Sequence, residues 1–364
     1  MAGGRRLAAR RFAFTLRAMA RRSTASVFAR AYERNLKALT KLTLSNSKRV
    51  AGQVQRATAK RLKPPPGRGD WLSGMAMGPG GARGYHLFRP ADLQLQPGEK
   101  LPLMVMLHGC GQTGRDFAAS TRMNALAVRQ RFLVLYPEQD RIAHPQGCWN
   151  WYERRSGKAD AEAATLMAAI DQACMLYPVD RDRVALAGLS AGASMAALLA
   201  TRYPNRFRAV VMHSGVAPGA AKSSATALGA MRGQNVPPMP ATAVGKAMGA
   251  AAVFTTLPPM LVLHGDADAV VAPSNAVSSA AVWATAVGAR PGLPRDMQRG
   301  KRRAMRVTDF RRKGRALVTL CEIAGLGHSW SGGAPKLLFS DPEGPDATRM
   351  AWAFAAAQFK AAVP

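Results

Sequence analysis

Gly188-Leu189-Ser190-Ala191-Gly192 sets a hydroxyl between two glycines, directly after the apolar run Arg183–Ala187 and at the start of a helical stretch. A serine hydroxyl is a weak nucleophile, and it becomes reactive only beside a base that a third group orients. Both types of partner occur further along the chain. His264-Gly265-Asp266-Ala267-Asp268 follows the apolar run Met260–Leu263, and Gly325-Leu326-Gly327-His328-Ser329-Trp330 follows Ala316–Ile323. If those runs are parallel strands, Ser190, Asp268 and His328 fall on one edge of a sheet. There His328 is the candidate base and Asp268 the group that orients it, an arrangement for acyl transfer.

Other residues compete for these roles. Asp266 is the alternative carboxylate, and Asp268 is preferred because Asp266 sits in the turn immediately after its strand. His264 and His213 end apolar runs and read as histidines held by backbone hydrogen bonds. Cys110, in His108-Gly109-Cys110-Gly111-Gln112, is the rival nucleophile. With a complete serine set present, that loop reads instead as the source of an oxyanion donor. The backbone N–H groups of Cys110 and Ala191 are the assigned pair. Trp149 and Trp151 are candidates to wall a substrate groove, or else they pack beneath their loop. Trp330, two residues after His328, is a third candidate for substrate contact.

The elements that must position these residues are legible as short apolar runs. Candidate strands are Gly84–Phe88, Leu101–Leu107, Phe132–Tyr136, Arg183–Ala187, Ala209–His213, Met260–His264 and Ala316–Ile323. Helical stretches fall between them at about 116–130, 160–176 and 191–203. Continuous apolar strands alternating with helices predict an α/β fold, a mainly parallel sheet with helices on both faces. In this context the glycines flanking Ser190 permit the tight strand-to-helix turn that lifts its side chain clear. The chain order serine, aspartate, histidine is that of the α/β-hydrolase triad. Residues 215–259, rich in Ala, Gly, Ser and Pro, interrupt the rhythm and read as a cap-like insertion. Met305–Phe310 and Ala316–Ile323 flank Arg311-Arg312-Lys313-Gly314-Arg315, which predicts a hairpin with a basic tip.

Charge divides the chain differently. The 364 residues carry a formal +30, of which +16 lies in residues 1–70 and +8 in 295–315, leaving +6 for the rest. With 48% hydrophobic residues, a disordered basic tail protein is excluded. Residues 1–70 read as a basic arm, helical or partly disordered. Phe28, Tyr32, Leu36, Leu39 and Leu42 lie at helical spacing, Pro64-Pro65-Pro66-Gly67 begins a linker, and the domain is expected over 80–360. Met1 to Arg22 holds seven arginines and no acid, with no apolar core of a signal peptide. It reads as an amphipathic surface helix or as a coding start set too far upstream. No apolar run is long enough to span a membrane. The basic segments lack interleaved aromatic residues of a nucleic-acid surface, so nucleic acid is not the expected partner. Four cysteines without C-x-x-C spacing do not suggest zinc. Cys110 and Cys148 fall in loops on one edge, which makes a disulfide between them a hypothesis.

Taken together, Leu107-His108-Gly109-Cys110-Gly111-Gln112, Thr121-Arg122-Met123, Tyr136-Pro137-Glu138-Gln139, Cys148-Trp149-Asn150-Trp151, Asp180-Arg181-Asp182-Arg183-Val184, Gly188-Leu189-Ser190-Ala191-Gly192 and Gly327-His328-Ser329-Trp330-Ser331-Gly332-Gly333 resemble the polyhydroxybutyrate depolymerase family of serine esterases. That group also includes feruloyl and acetylxylan esterases. The resemblance covers about residues 84–355. It implies an α/β-hydrolase fold and ester hydrolysis through an acyl-enzyme, with neither metal nor cofactor. It also implies secretion to the extracellular space, although no signal peptide or separate polymer-binding domain is visible, and a cytoplasmic, granule-associated enzyme is the alternative. The expected substrate is a short-chain polyhydroxyalkanoate or its oligomers, with feruloyl or acetylxylan ester as the rival. A reading of another class is a granule- or anionic-surface-binding protein with a vestigial hydrolase domain, held to such a surface by its basic arm.

Overall fold

The structure is a computed structural model that describes residues 64–234 and 257–361. The helix expected between Ala25 and Leu62, and the arm as far as residue 63, lie outside the described residues. So does the centre of the expected cap, 235–256.

Described strands are β1 (Gly69–Ala76), β2 (Arg83–Pro90), β3 (Leu101–Leu107), β4 (Leu133–Pro137), β5 (Val179–Leu189), β6 (Ala209–His213), β7 (Met260–Gly265), β8 (Arg290–Pro291), β9 (Arg295–Met297), β10 (Met305–Arg312) and β11 (Arg315–Ile323). They form one sheet in the order β1-β2-β4-β3-β5-β6-β7-β11-β10-β8, with β9 also paired to β10. The run from β4 through β3, β5, β6 and β7 to β11 is parallel, and antiparallel strands flank it at both ends. This is the mainly parallel sheet the apolar runs predict. A short parallel pair, β12 (Trp330–Ser331) and β13 (Ser340–Asp341), stands apart from it.

Alternation along the central strands divides the core in two. In β3, Leu103, Val105 and Leu107 point to one face, while Met104 and Met106 point to the other. The first face is covered by α3 (Lys158–Leu176), α4 (Ala191–Arg202) and α6 (Ser274–Val287). The second is covered by α1 (Gly114–Thr121), α2 (Met123–Gln130) and α7 (Ala347–Ala361). Strands buried on both faces carry no polar side, hence their unbroken apolar runs.

Two expectations are corrected here. The domain does not begin near residue 80: Gly69–Ala76, read as linker, is a strand in antiparallel register with β2. Its glycines permit close approach. A Cβ on Gly69 would lie 2.2 Å from the Arg89 carbonyl oxygen, and one on Gly74 would lie 2.2 Å from the Tyr85 ring. Trp71 anchors the strand by stacking on His86 at 4.8 Å. The single helix expected over 116–130 is two helices. Arg122 takes φ 57 and ψ 26 between them and donates to the Gly332 carbonyl at 2.6 Å.

The basic hairpin forms as expected. Arg312 pairs with Arg315 across Lys313-Gly314, both with positive φ, the conformation that suits a two-residue hairpin turn. Beyond β10, among the described residues, this end of the sheet carries only the two residues of β8 and the three of β9. Arg295 pairs with Asp309 at 2.7 Å and Arg306 with Asp296 at 3.2 Å. In the cap-like stretch, the described part holds α5 (Ser224–Met231), opened by a capping box between Ser223 and Thr226.

Candidate active site

Ser190 joins β5 to α4 with φ 57 and ψ −121, a conformation that costs a non-glycine residue about 1–3 kcal/mol. Two backbone bonds hold it. Ser190 N–H donates to the His213 carbonyl at 2.9 Å, and Ser194 N–H donates to the Ser190 carbonyl at 3.1 Å. The flanking glycines are required by space: a Cβ on Gly188 would lie 2.3 Å from the Gly192 backbone, and one on Gly192 would lie 2.1 Å from the Leu107 carbonyl oxygen. The turn is therefore wedged between β3 and the start of α4.

Asp268 and His328 meet on the same edge, after β7 and β11. His328 Nδ1 and Asp268 Oδ2 are 2.8 Å apart, both buried. Asp268 Oδ1 also accepts the N–H groups of Val270 and Val271 at 2.9 Å each. Burial pushes this carboxyl up, but the His328 charge and hydrogen bonds from His264 and His328 outweigh it. Asp268 is held well below the usual carboxylate range. A carboxylate can only accept, so His328 Nδ1 donates, which in a neutral imidazole leaves the Nε2 lone pair free to take a proton. Asp266 does not take part in this pair. Its Oδ1 accepts the Gly325 N–H at 2.7 Å and so braces the loop that carries His328.

The two other strand-end histidines do more than cap. His264 Nε2 lies 3.0 Å from the Val271 carbonyl and 3.3 Å from Asp268 Oδ2, so it flanks the carboxylate from a second side. His213 accepts the Ser331 N–H on Nε2 at 3.1 Å, and its Nδ1 lies 3.1 Å from Ser214 Oγ. Its backbone carbonyl is the one that holds Ser190. Burial, with the charges of His264 and His328, pushes the His213 ring down to about 3, so it stays neutral and can accept. Sequence reasoning took it for a strand end, because its two partners lie 23 residues before it and 118 after it.

The Cys110 loop is a tight turn lying against Ser190. Gln112 N–H donates to the Gly109 carbonyl at 3.2 Å, and Gly109 N–H donates to Gln112 Oε1 at 2.9 Å. Gly111 has φ 75, and a Cβ on Gly109 would lie 3.6 Å from Ser190 Cβ. Cys110 is the second residue of that turn, a position whose N–H the turn does not use. Ala191 opens α4, so its N–H has no acceptor within the helix.

A buried network absent from the sequence reading supports this turn. Glu162, 1% exposed, accepts from Arg83 at 3.0 Å, Gln139 Nε2 at 2.6 Å, and the backbone and side chain of Asn150 at 2.6 and 3.1 Å. Gln139 N–H donates to His108 Nε2 at 3.1 Å, and Gln139 Nε2 donates to the Cys148 carbonyl at 2.8 Å. Burial pushes His108 down to about 4 and keeps it an acceptor there. A disulfide joins Cys110 to Cys148, with Cα atoms 4.3 Å apart. The hypothesis of that pairing matches the structure, and Cys110 has no thiol to offer as nucleophile.

The tryptophans separate. Trp149 and Trp330 are each 0% exposed, which corrects the expectation that they contact substrate. Trp149 Nε1 donates to the His108 carbonyl at 2.9 Å. Trp330 stacks on His213 at 5.1 Å and donates to Thr348 Oγ1 at 3.0 Å. Both fix the loops around the site. Trp151 is half-buried and lines a small cleft beside α4.

Residues 84–289, more than half of the chain, match the family described as esterase PHB depolymerase. The chain belongs to that family. The match includes Ser190 and Asp268 and ends before His328. Among curated proteins, the chain is 32% identical over 176 residues to poly(3-hydroxyalkanoate) depolymerase C of Paucimonas lemoignei, covering 48% of this chain and 42% of that one. It is 27% identical over 257 residues to acetylxylan esterase A of Talaromyces purpureogenus, covering 68% of this chain and 63% of that one. The chain thus spans less than two thirds of the length of either relative. Among solved structures, acetyl xylan esterase from Aspergillus awamori superposes with a TM-score of 0.59 at 20% identity, over 72% of this chain and 95% of that chain. That likeness concerns the fold, which is the α/β-hydrolase fold of the esterase family.

Proposed function

We propose that the chain is a serine carboxylic ester hydrolase acting through an acyl-enzyme. The observation that carries this reading is the 2.8 Å contact between His328 and Asp268, on the sheet edge where Ser190 stands in its strained turn. In the proposed reaction Ser190 Oγ attacks the ester carbonyl carbon as its proton passes to His328 Nε2. The carbonyl oxygen becomes an oxyanion, for which the Cys110 and Ala191 N–H groups are the proposed donors. The ester C–O bond then breaks, and His328 returns the proton to the departing alcohol. Water repeats the sequence on the acyl-serine: His328 takes its proton, the acid leaves, and Ser190 is restored. Asp268 holds the His328 tautomer throughout and offsets the imidazolium charge.

The proposed substrate is a short-chain polyhydroxyalkanoate, or an oligomer of it, which the 32% identity to a poly(3-hydroxyalkanoate) depolymerase supports. A second reading, acetylxylan or feruloyl ester, is favoured by the longer match to an acetylxylan esterase. Rates on 3-hydroxybutyrate oligomers, acetylated xylan and methyl ferulate separate the two. Ser190→Ala should abolish hydrolysis of all of them and of p-nitrophenyl butyrate while leaving thermal unfolding unchanged, and full activity in that variant overturns the mechanism. For the basic segment we propose attachment to polymer granules or an anionic surface. Removing residues 1–63, which spares β1, should then lower co-sedimentation with granules and leave turnover of soluble esters intact.

A further inference from the structure

Beside the nucleophile turn lies a small open cleft, lined by Trp151, Arg154, Ser194, Leu198, Val216 and Pro218 among others. It begins one helical turn from the nucleophile. Ser194 donates its backbone N–H to the Ser190 carbonyl, and its hydroxyl accepts the Val216 N–H at 2.9 Å. All but one of those six lining groups are apolar or uncharged. The exception is Arg154, which is half-buried and whose guanidinium has no hydrogen-bond or ion-pair partner among the described residues.

Other arginines withdrawn from solvent sit on carboxylates, among them the buried Arg83 and the half-buried Arg183, Arg206 and Arg303. The acids near Arg154 are engaged elsewhere. Asp160 pairs with Arg202, and Glu153 accepts the Ser224 N–H at 3.3 Å and the Ser156 hydroxyl at 3.3 Å. Burial, together with the like charge of Arg202, pushes Arg154 down from its ordinary value, and the charge of Asp160 offsets only part of this. A partly desolvated cation with a cationic neighbour gains from an anion placed against it. The backbone around it is braced as well, since Arg154 N–H donates to the Tyr152 carbonyl at 2.8 Å and Arg155 N–H to the Lys222 carbonyl at 3.3 Å.

We propose that Arg154 is a specificity-determining residue that binds the free carboxylate end of a short hydroxyacyl ester chain, so that the site takes soluble oligomers by their acid terminus. This rests on the ester hydrolase reading above. The planar guanidinium fork matches a carboxylate in two parallel hydrogen bonds. In a linear 3-hydroxybutyrate oligomer the terminal carboxylate is separated from the last ester oxygen by one methine and one methylene. It is also the only charge the chain carries, and the interior of a polymer offers none.

The test compares the full chain with Arg154→Gln and Arg154→Lys on the 3-hydroxybutyrate dimer and trimer, each as free acid and as methyl ester. The expected result is a kcat/KM ratio of acid to methyl ester that falls about 10- to 100-fold in Arg154→Gln, chiefly through KM, and is partly restored in Arg154→Lys. An equal ratio in the native and Arg154→Gln proteins overturns the proposal. Hydrolysis of p-nitrophenyl butyrate, and its loss in Ser190→Ala, reports separately on the ester hydrolase reading. Should no ester be cleaved, calorimetric titration with 3-hydroxybutyrate still decides. Binding that Arg154→Gln abolishes supports the assignment, and absence of binding to the native chain refutes it.

Discussion

Ser331 donates its backbone N–H to His213 Nε2 at 3.1 Å, so the loop that carries His328 is tied to the residue whose carbonyl holds the Ser190 turn. The candidate nucleophile and the candidate base are thereby referred to one residue on β6, the first through its backbone carbonyl and the second through its ring. Replacing His213 by Phe removes the acceptor while keeping a ring against Trp330. The expected effect is a 10- to 100-fold lower kcat on p-nitrophenyl butyrate with KM within about threefold, since a small displacement of reacting groups costs that much. His213→Gln, whose carbonyl oxygen can accept, should recover part of the rate. A variant that loses thermal stability but keeps kcat would reduce His213 to a packing role.

The same histidine gives a pH dependence of stability. His213 is held at about 3 and His108 at about 4 in the folded chain, both far below the ordinary histidine value of 6.5. Below pH 6.5 the unfolded chain therefore takes up protons that the native chain does not, and stability falls as pH falls towards those values. His86 and His144, lowered by burial, act in the same direction. Glu138 opposes them: burial holds it up to about 7, so between about pH 4.5 and 7 the native chain keeps a proton that the unfolded chain releases. Urea midpoints at pH 5 and 6 should show lower stability at pH 5. In His213→Gln the slope should shrink by about one proton, or about 1.4 kcal/mol per pH unit. An unchanged slope would mean that His213 titrates in the native protein.

Two neighbouring aspartates should separate cleanly. Asp268→Asn removes the charge that orients His328 and should lower kcat by about 10³ to 10⁴. Asp266→Asn can still accept the Gly325 N–H and should stay within tenfold of the native rate. Equal losses in the two variants would remove the distinction drawn between them.

Reduction supplies a further check. The Cys110–Cys148 bond closes a separation of 38 residues, for which chain entropy gives about 4 kcal/mol of stabilisation. Cys148→Ser should lower the unfolding midpoint accordingly and raise KM, because the turn beside Ser190 loses its tether. Thiol titration of the native protein should find Cys174, which is half-buried, and miss Cys321, which is buried with its thiol pushed up to about 12. Finding four reactive thiols in the native chain would show that the bond is absent.

How far these features were legible in the sequence depends on the range of the interactions that make them. The strands β3 and β6 have the limits their apolar runs suggest, because burial on both faces leaves no ambiguity in Leu101–Leu107 or Ala209–His213. Strand β1 was not legible. Gly69 and Gly74 read as linker, and only the ring of Tyr85 and the carbonyl of Arg89 explain why they are glycine. Helix α6 was likewise hidden, since Ala276, Ala280 and Trp283 make a weak stripe in an alanine- and serine-rich stretch. Within the site, Ser190, Asp268 and His328 were readable because each follows an apolar strand within five residues and has a glycine within three. Glu162 was not, because nothing near it in the chain marks a buried carboxylate whose partners are Arg83, Gln139 and Asn150. Trp149 and Trp330 misled for the same reason: an aromatic ring in a loop looks the same in sequence whether it meets ligand or core.

The basic end of the sheet has a consequence for how copies of this chain meet. An edge strand with free N–H and C=O groups invites a strand from another molecule to add on. Here the outermost strand is two residues long, one of them a proline, and arginines at 290, 295, 306, 311 and 312 crowd its surroundings. Each arriving copy would bring the same cations to the same place. The charge at this edge therefore acts as a guard against sheet-to-sheet stacking, and the guard weakens as salt screens it, so slow edge-wise aggregation is to be looked for at high ionic strength rather than low.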